Sequence, residues 1–394
     1  MPNPSTNRVL SIDILRALTM FLMIFVNDFW SLKGVPKWLL HTKTMEDGMG
    51  FSDVIFPLFL FIVGLSIPLA IGVRRKKGAN NKQIVWHILG RTFALLLMGI
   101  YMVNFEYLFD QNMLIKKQWW EILMAVGIVL IWLDFKRLPQ LKPLHIGIIR
   151  GLGAAILVFL AIIYQGGSAE NPVWMQTYWW GILGLIGWAY LLNSLVFLLL
   201  GKRLLALLAV FLFLSFLNMQ EFDIIESAPS FKFVIGASSH LLVLAGVLCT
   251  VLFQRIGKSY SEQQFLGFGF LIGALMISYG FALRPWFIIS KNLATPSWTN
   301  ICIGIGFLCF VLFYILVDKM GYAAWAKPIK AAGTSTLTCY LMPYFIYPII
   351  TLLGVKMAGS LPALSIGLPK SMLFSLAIIL FVGFLERKRL RLKV

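Results

Sequence analysis

Val54-Ile55-Phe56-Pro57-Leu58-Phe59-Leu60-Phe61-Ile62-Val63-Gly64-Leu65-Ser66-Ile67-Pro68-Leu69-Ala70-Ile71-Gly72-Val73 carries no charge, opens after Asp53 and closes on Arg74-Arg75-Lys76-Lys77. As a helix it would run about 30 Å, the thickness of a bilayer's hydrocarbon core. Comparable apolar stretches recur along the chain. They fall at approximately 12–30, 54–73, 84–103, 119–133, 144–164, 178–200, 204–220, 234–253, 265–283, 299–317, 333–354 and 371–385. The expected fold is all-α: a polytopic integral membrane helix bundle of about 12 (10–12) transmembrane helices, forming one domain over residues 1–394. The fourth, seventh and twelfth stretches are short, which sets the lower bound.

Composition supports the same class. Hydrophobic residues make up 59% of the 394, charged residues 13%, and mean hydropathy is +0.85. A soluble domain needs nearly twice that charge to cover its core, so water-soluble, collagen-like and disordered readings are excluded. The first stretch holds Asp13 and Arg16 and lacks a small-residue cleavage site, so it is expected to remain as a helix. Cys249, Cys302, Cys309 and Cys339 all lie in apolar runs with no Cys-x-x-Cys spacing, and neither a disulfide framework nor a metal site is signalled.

The net charge of +18 has a direction. With twelve spans, 21 of the 34 basic residues fall in one set of loops and ends, 10 in the other, and three arginines lie within helices. The positive-inside rule then puts both termini in the cytoplasm and the 31–52 loop outside. A phospholipid-facing charge bias accounts for much of the excess, and no nucleic-acid partner is needed.

Ionisable groups inside spans are functional candidates by default, because each costs a few kcal/mol to insert. Arg16, Arg91 and Arg150 share a depth of roughly 6–10 Å from the inner face. They read either as snorkelling side chains, with Arg16 paired to Asp13, or as a cationic vestibule for the phosphates of a cytoplasmic anion. The Arg74-Arg75-Lys76-Lys77 run would add to that field, and His87 stands one turn before Arg91. At the outer end, Val26-Asn27-Asp28 leads into a polar loop with His41, Gly48 and Gly50, followed by Asp53 at the start of the next helix. His41 reads there either as the natural general base, with Asn27 orienting it or holding a carbonyl oxygen, or as a solvated loop histidine, and Asp53 reads as a helix N-cap. His240 follows Ser238-Ser239 inside a span, where it is either functional or satisfied by interhelical hydrogen bonds. Trp119, Trp120, Trp174, Trp179, Trp180 and Trp298 cluster at span ends and read as interfacial anchors.

The order Arg8-Val9-Leu10-Ser11-Ile12-Asp13-Ile14-Leu15-Arg16, then Val26-Asn27, His41, and Asp53-Val54-Ile55-Phe56-Pro57 resembles the transmembrane acyltransferases related to heparan-α-glucosaminide N-acetyltransferase, in particular their uncharacterised bacterial branch. Ser290-Lys291-Asn292-Leu293 resembles that family's Lys-Asn-Leu-Trp loop, and Gly333-Thr334-Ser335-Thr336 its Gly-x-Asn-Ser helix start. The resemblance implies that His41 is catalytic, that Asn27 is its partner, and that acetyl-CoA is the donor, with its phosphates at the arginine-lined mouth. Asp13, Asp28 and Asp53 are expected in support. Met124-Ala125 departs from the family's Gln-Arg pair, and helices 6 and 7 (about 178–220) look like an inserted pair.

The function expected is therefore transfer of an acetyl group from cytoplasmic acetyl-CoA to an extracytoplasmic amino sugar or glycan, in a bacterial inner membrane. A sugar or amino-sugar transporter and a catalytically degenerate family member are the alternatives. A homodimeric partner is left open.

Overall fold

The structure, a computed structural model, describes residues 9–109, 113–168, 170–222, 236–355, 359 and 361–394. Arg8 and residues 234–235, used in the sequence reading, lie outside the described residues. Helices α1 (Leu10–Asn27), α2 (Ser52–Lys76), α3 (Asn81–Glu106), α4 (Lys117–Trp132), α5 (Pro143–Ile162), α6 (Gly181–Leu200) and α7 (Leu204–Gln220) form the first half. The second half holds α8 (Ala237–Phe253), α9 (Glu262–Ala282), α10 (Pro296–Phe313), α11 (Lys330–Thr334), α12 (Thr336–Leu341), α13 (Pro343–Leu352) and α14 (Leu368–Arg387). Two-residue strands join loops: β1 (Leu32–Lys33) pairs in parallel with β4 (Leu361–Pro362), and β2 (Gly166–Gly167) pairs antiparallel with β3 (Pro172–Val173).

Among the described residues, eight helical segments are long and apolar enough to cross a membrane. Of the twelve expected stretches, Lys117–Trp132, Leu204–Gln220, Ala237–Phe253 and Thr336–Leu352 form the shorter helices. A 17-residue helix is still about 26 Å long, close to the hydrocarbon thickness. Two expectations need correction. The last stretch is not short: a π-helical turn carries it back to Ala363, giving 25 residues to Arg387. The stretch 333–354 is not one helix, because Ser335 leaves helical geometry (φ −127°, ψ 43°) between α11 and α12.

Burial orders the bundle. Helix α8 buries 14 of its 17 residues, so it is central, whereas α5 buries only Gly153, Leu157 and Leu160 and faces outward. Trp120 and Trp298 are core residues rather than anchors, 0% and 3% exposed, and Trp120 Nε1 donates to the Leu160 carbonyl. Their span-end positions are deceptive because neighbouring helices overlap them. Trp174 and Trp119 do face outward.

Helix ends are capped from near and far. Asn80 with Gln83 and Ser261 with Gln264 form reciprocal capping boxes at α3 and α9. Helix α1 has no local side-chain cap. Instead the Asp318 carboxylate accepts from Leu10 N–H and Ser11 N–H at 3.1 and 3.0 Å, placing negative charge at the positive end of the helix.

At the other end of α1, Asp28 is fully buried and accepts from Lys370 Nζ (2.7 Å), Tyr347 OH (2.9 Å) and Ser371 Oγ (2.5 Å). Removing one partner of a buried pair leaves the other charge uncompensated, at about 3–5 kcal/mol. Lys370→Ala should therefore lower the thermal midpoint of the purified protein clearly. A midpoint equal to wild type would show that Asp28 is satisfied without the lysine.

Candidate active site

The site lies where the loop between α1 and α2 meets the loop between α9 and α10. His41 Nδ1 stands 2.7 Å from Asp53 Oδ1. The other carboxylate oxygen accepts from Thr42 Oγ1 (2.6 Å), Thr42 N–H (3.1 Å) and Gly50 N–H (3.0 Å). Gly50 is needed for this approach, since a Cβ there would sit 1.9 Å from the Leu40 carbonyl oxygen. The His41 side chain stays 45% exposed while Asp53 is 1% exposed, so the carboxylate is locked and the imidazole can meet a ligand. With the Nδ1 proton held by Asp53, Nε2 carries the free lone pair. Asp53 is not the N-cap expected of it, since α2 begins at Ser52 with Phe51 at the cap; its carboxylate orients the ring instead.

The second loop brings a cation. Lys291 Nζ lies 3.1 Å from His41 Nδ1 and 3.5 Å from Nε2, although the residues are 250 positions apart. Burial pushes the Lys291 ammonium below its ordinary value, and the nearby Asp53 carboxylate opposes that shift. The loops are laced together. Asp47 accepts from Arg284 Nε and from Ile289 N–H, both at 2.8 Å. The Ile289 N–H first, and Arg284 second, hold the Asp47 carboxyl below the usual carboxylate range. Ser290 Oγ donates to the Thr44 carbonyl at 2.8 Å, and Asn292 Nδ2 reaches the Thr42 carbonyl and Thr44 Oγ1 at 3.4 and 3.3 Å.

Asn27 does not take the place expected of it. It is exposed at the end of α1 and makes no hydrogen bond to His41 among the described residues; the positioning partner is Asp53. Asp28 is likewise committed elsewhere, to Lys370, Tyr347 and Ser371.

At the opposite end of α1 and α2 lie two contiguous cavities of about 340 and 600 Å³ that share Arg16, Ser66, Ala70 and Lys393. The deeper one is lined by Arg16, Arg91, Tyr190, Ser335 and Arg391, and reaches Phe59 and Met23. The shallower one is lined by Asp13, Arg16, Arg74, Lys77, Lys136 and Lys393. Arg16 is held by Asp13 Oδ1 (3.2 Å), Ser66 Oγ (2.7 Å) and the Gly333 carbonyl (3.4 Å). Arg91 lies over the Tyr190 ring at 4.7 Å, and its Nε is buried without a hydrogen-bond partner among the described residues.

Three side chains expected in this vestibule are not among the residues lining it. Arg150 is exposed on outward-facing α5, over Phe135. Arg75 turns to Asn81 at the helix end, and His87 lines neither cavity. Sequence depth gives distance from a membrane face but not which side of a helix a residue occupies. Lys77 of the basic run lines it as expected, and so do Lys136, Arg391 and Lys393, counted only as loop charge. His240 is buried in central α8 and lines neither cavity. Of the paired helices, α6 is not remote from the vestibule, since its Ile182, Leu183, Ile186 and Tyr190 wall the deeper cavity.

Residues 8–166 match the model of the catalytic region of heparan-alpha-glucosaminide N-acetyltransferase. The chain is related to that family. The mouse (Mus musculus) heparan-alpha-glucosaminide N-acetyltransferase is 32% identical over 103 residues, which cover 26% of this chain and 15% of the mouse protein. The human (Homo sapiens) protein is 32% identical over 100 residues, covering 25% of this chain and 14% of its own. The aligned part thus spans only about a seventh of the curated relatives' length. The match with the family model carries Asn27, His41, Asp53, Arg16 and Arg91, all on α1–α3 and their loops. Lys291, Ser335, Arg391 and Lys393 fall outside it, and reach the site or the cavities only through tertiary packing.

Proposed function

We propose that this protein is a membrane acetyltransferase that takes acetyl from acetyl-CoA at the arginine-lined end. It would pass the acetyl to the amine or hydroxyl of an amino sugar or glycan at the His41 end. One observation supports this most. The cavity that opens among Arg16, Arg91 and Lys393 reaches inward to Phe59 and Met23. Those residues lie about 9 Å and about 6 Å along their helices from Asp53 and Asn27. A nucleotide held at the cationic mouth could therefore extend its flexible thioester arm toward His41 without crossing the bilayer. In a bacterial inner membrane, the basic end would face the cytoplasm.

The chemistry assigned to the dyad is base catalysis. His41 Nε2 takes the proton from the acceptor as its lone pair attacks the thioester carbonyl carbon. The Asp53 carboxylate compensates the charge that develops on the ring. Lys291 Nζ, 3.5 Å from Nε2, stabilises the oxyanion. When the carbon–sulfur bond breaks, the departing thiolate recovers the proton from the imidazolium. A two-step route through an acetyl-imidazole would use the same Nε2, with the same positioning by Asp53.

The test is acetylation by the purified protein in sealed vesicles, with labelled acetyl-CoA on one side and glucosamine on the other. Labelled N-acetylated product is expected in the glucosamine compartment. Uptake of unmodified sugar without acetyl-CoA, and no acetylated product, would turn the reading to transport. In the same assay Lys291→Met should lower the turnover number by about 10²-fold, as the loss of one oxyanion donor does, while acetyl-CoA binding stays at the wild-type level. Equal losses in binding and turnover would instead give Lys291 a structural task.

A further inference from the structure

The segment Leu390–Val394, read from sequence only as loop charge, is built into the wall of the cationic vestibule. Its backbone is fixed on two sides. Asp134 N–H donates to the Arg391 carbonyl and Lys393 N–H donates to the Trp132 carbonyl, both at 2.9 Å, which makes an antiparallel bridge between Leu133 and Leu392. Leu392 N–H donates to Thr338 Oγ1 on α12 at 3.0 Å, and the Leu392 side chain is buried in the main core, 7% exposed. With its backbone anchored in this way, the segment lines the deeper cavity with Arg391, Leu392 and Lys393 in succession.

Their electrostatic situations differ. Arg391 is engaged by Asp134 (3.4 Å) and Glu386 (3.5 Å). Lys393 has no salt bridge among the described residues, and it lines both cavities. Among the described residues, the shallower cavity sets Arg16, Arg74, Lys77, Lys136 and Lys393 against one lining carboxylate, Asp13, which is itself paired with Arg16. Five cations converging with so little compensation are suited to a ligand carrying several phosphates.

We infer that Lys393, set in place by the Leu133–Leu392 bridge, is a binding residue for the phosphates of the acyl donor, so that the segment closes the donor site from the inner face. The inference rests on the acetyl-CoA reading given above. Its chemistry would equally suit an anionic lipid headgroup, and the experiment separates the two.

The protein, purified in neutral detergent without added lipid, is titrated with CoA as wild type, Lys393→Ala, Lys393→Glu and Lys393→Arg. A control, Lys37→Glu, alters a cation of the loop between α1 and α2, beyond both cavities. Removing one charge-assisted phosphate contact should weaken CoA binding about 10-fold in Lys393→Ala. The loss should be larger in Lys393→Glu, near-complete recovery should follow in Lys393→Arg, and Lys37→Glu should bind as wild type. Lys393 is exposed, so all variants are expected to fold, and equal thermal midpoints check this. CoA binding by Lys393→Glu at wild-type strength or tighter overturns the inference and leaves the acetyltransferase reading intact. Wild-type protein that fails to bind CoA sinks both. Retention of co-purified phosphatidylglycerol by wild type but not by Lys393→Glu, with CoA binding unchanged, would assign the segment to lipid and likewise overturn it.

Discussion

His41→Ala should reduce acetyl transfer by at least about 10²-fold, and toward about 10⁴-fold if proton transfer limits the rate. Donor binding should be unchanged, because no cation lining the vestibule touches His41. The side chain is half-exposed and held chiefly by Asp53 and Lys291, so its loss creates no cavity in the core. Asp53→Asn separates orientation from occupancy. The amide can donate where the carboxylate accepted, which would turn the ring to the other tautomer and take the lone pair away from Nε2. A loss comparable to that of His41→Ala is expected, with the loop still folded. The measurement is the initial rate of labelled product formation at saturating acetyl-CoA. Full activity in His41→Ala would remove this residue as the base and, with it, the dyad.

Gly246→Leu should be the most damaging single change to the fold. Helices α2 and α8 cross with Gly64 and Gly246 face to face. A Cβ on Gly246 would lie 2.0 Å from the Phe61 carbonyl oxygen, and one on Gly64 would lie 1.9 Å from that of Val243. Both obstacles are backbone, so no rotamer change relieves them, and the helices must separate. Overpacking a core with movable neighbours costs about 1–3 kcal/mol, and a backbone clash in the central helix should exceed that range. The expected result is loss of the monodisperse peak in detergent size-exclusion chromatography, with Gly246→Ala intermediate. A Leu variant that elutes and melts like wild type would mean that the α2–α8 contact is not close in the folded protein. The sequence was silent here. Gly64 lacks a glycine four residues on, where Pro68 stands, and its partner lies on α8 rather than on its own helix.

What was legible follows from which signals are local. A run such as Val54–Val73 reports its own solvation cost, so the apolar stretches and the separation of Arg74-Arg75 from His41 along α2 could be read without any partner. The break at Ser335 was less visible, because hydropathy continues across it from Ala331 to Leu341. Helix face was not legible at all. Arg91 and Arg150 have the same apparent depth, yet one lies over Tyr190 beside a cavity and the other over Phe135 on an outward helix. Rotation about the helix axis is set by packing against neighbours, and α5 has few.

In the loop after α1, the sequence supplied His41 and Asp53 as residues and left their relation open. Their 12-residue separation fits many conformations, and only the fold of Thr42–Gly50 around the carboxylate makes Asp53, in the first turn of α2, an orienting group rather than the expected cap. By itself the sequence determined the class of protein, and it offered a direction for the charge and candidates for the chemistry. Each of those follows from the transfer of individual side chains between water and hydrocarbon, which is nearly additive along the chain. Tertiary structure alone decided that Lys291 meets His41 from 250 positions away and that Lys393 faces the vestibule with Arg16. Such meetings depend on how whole helices pack, and packing is a property of pairs of surfaces that no single stretch contains.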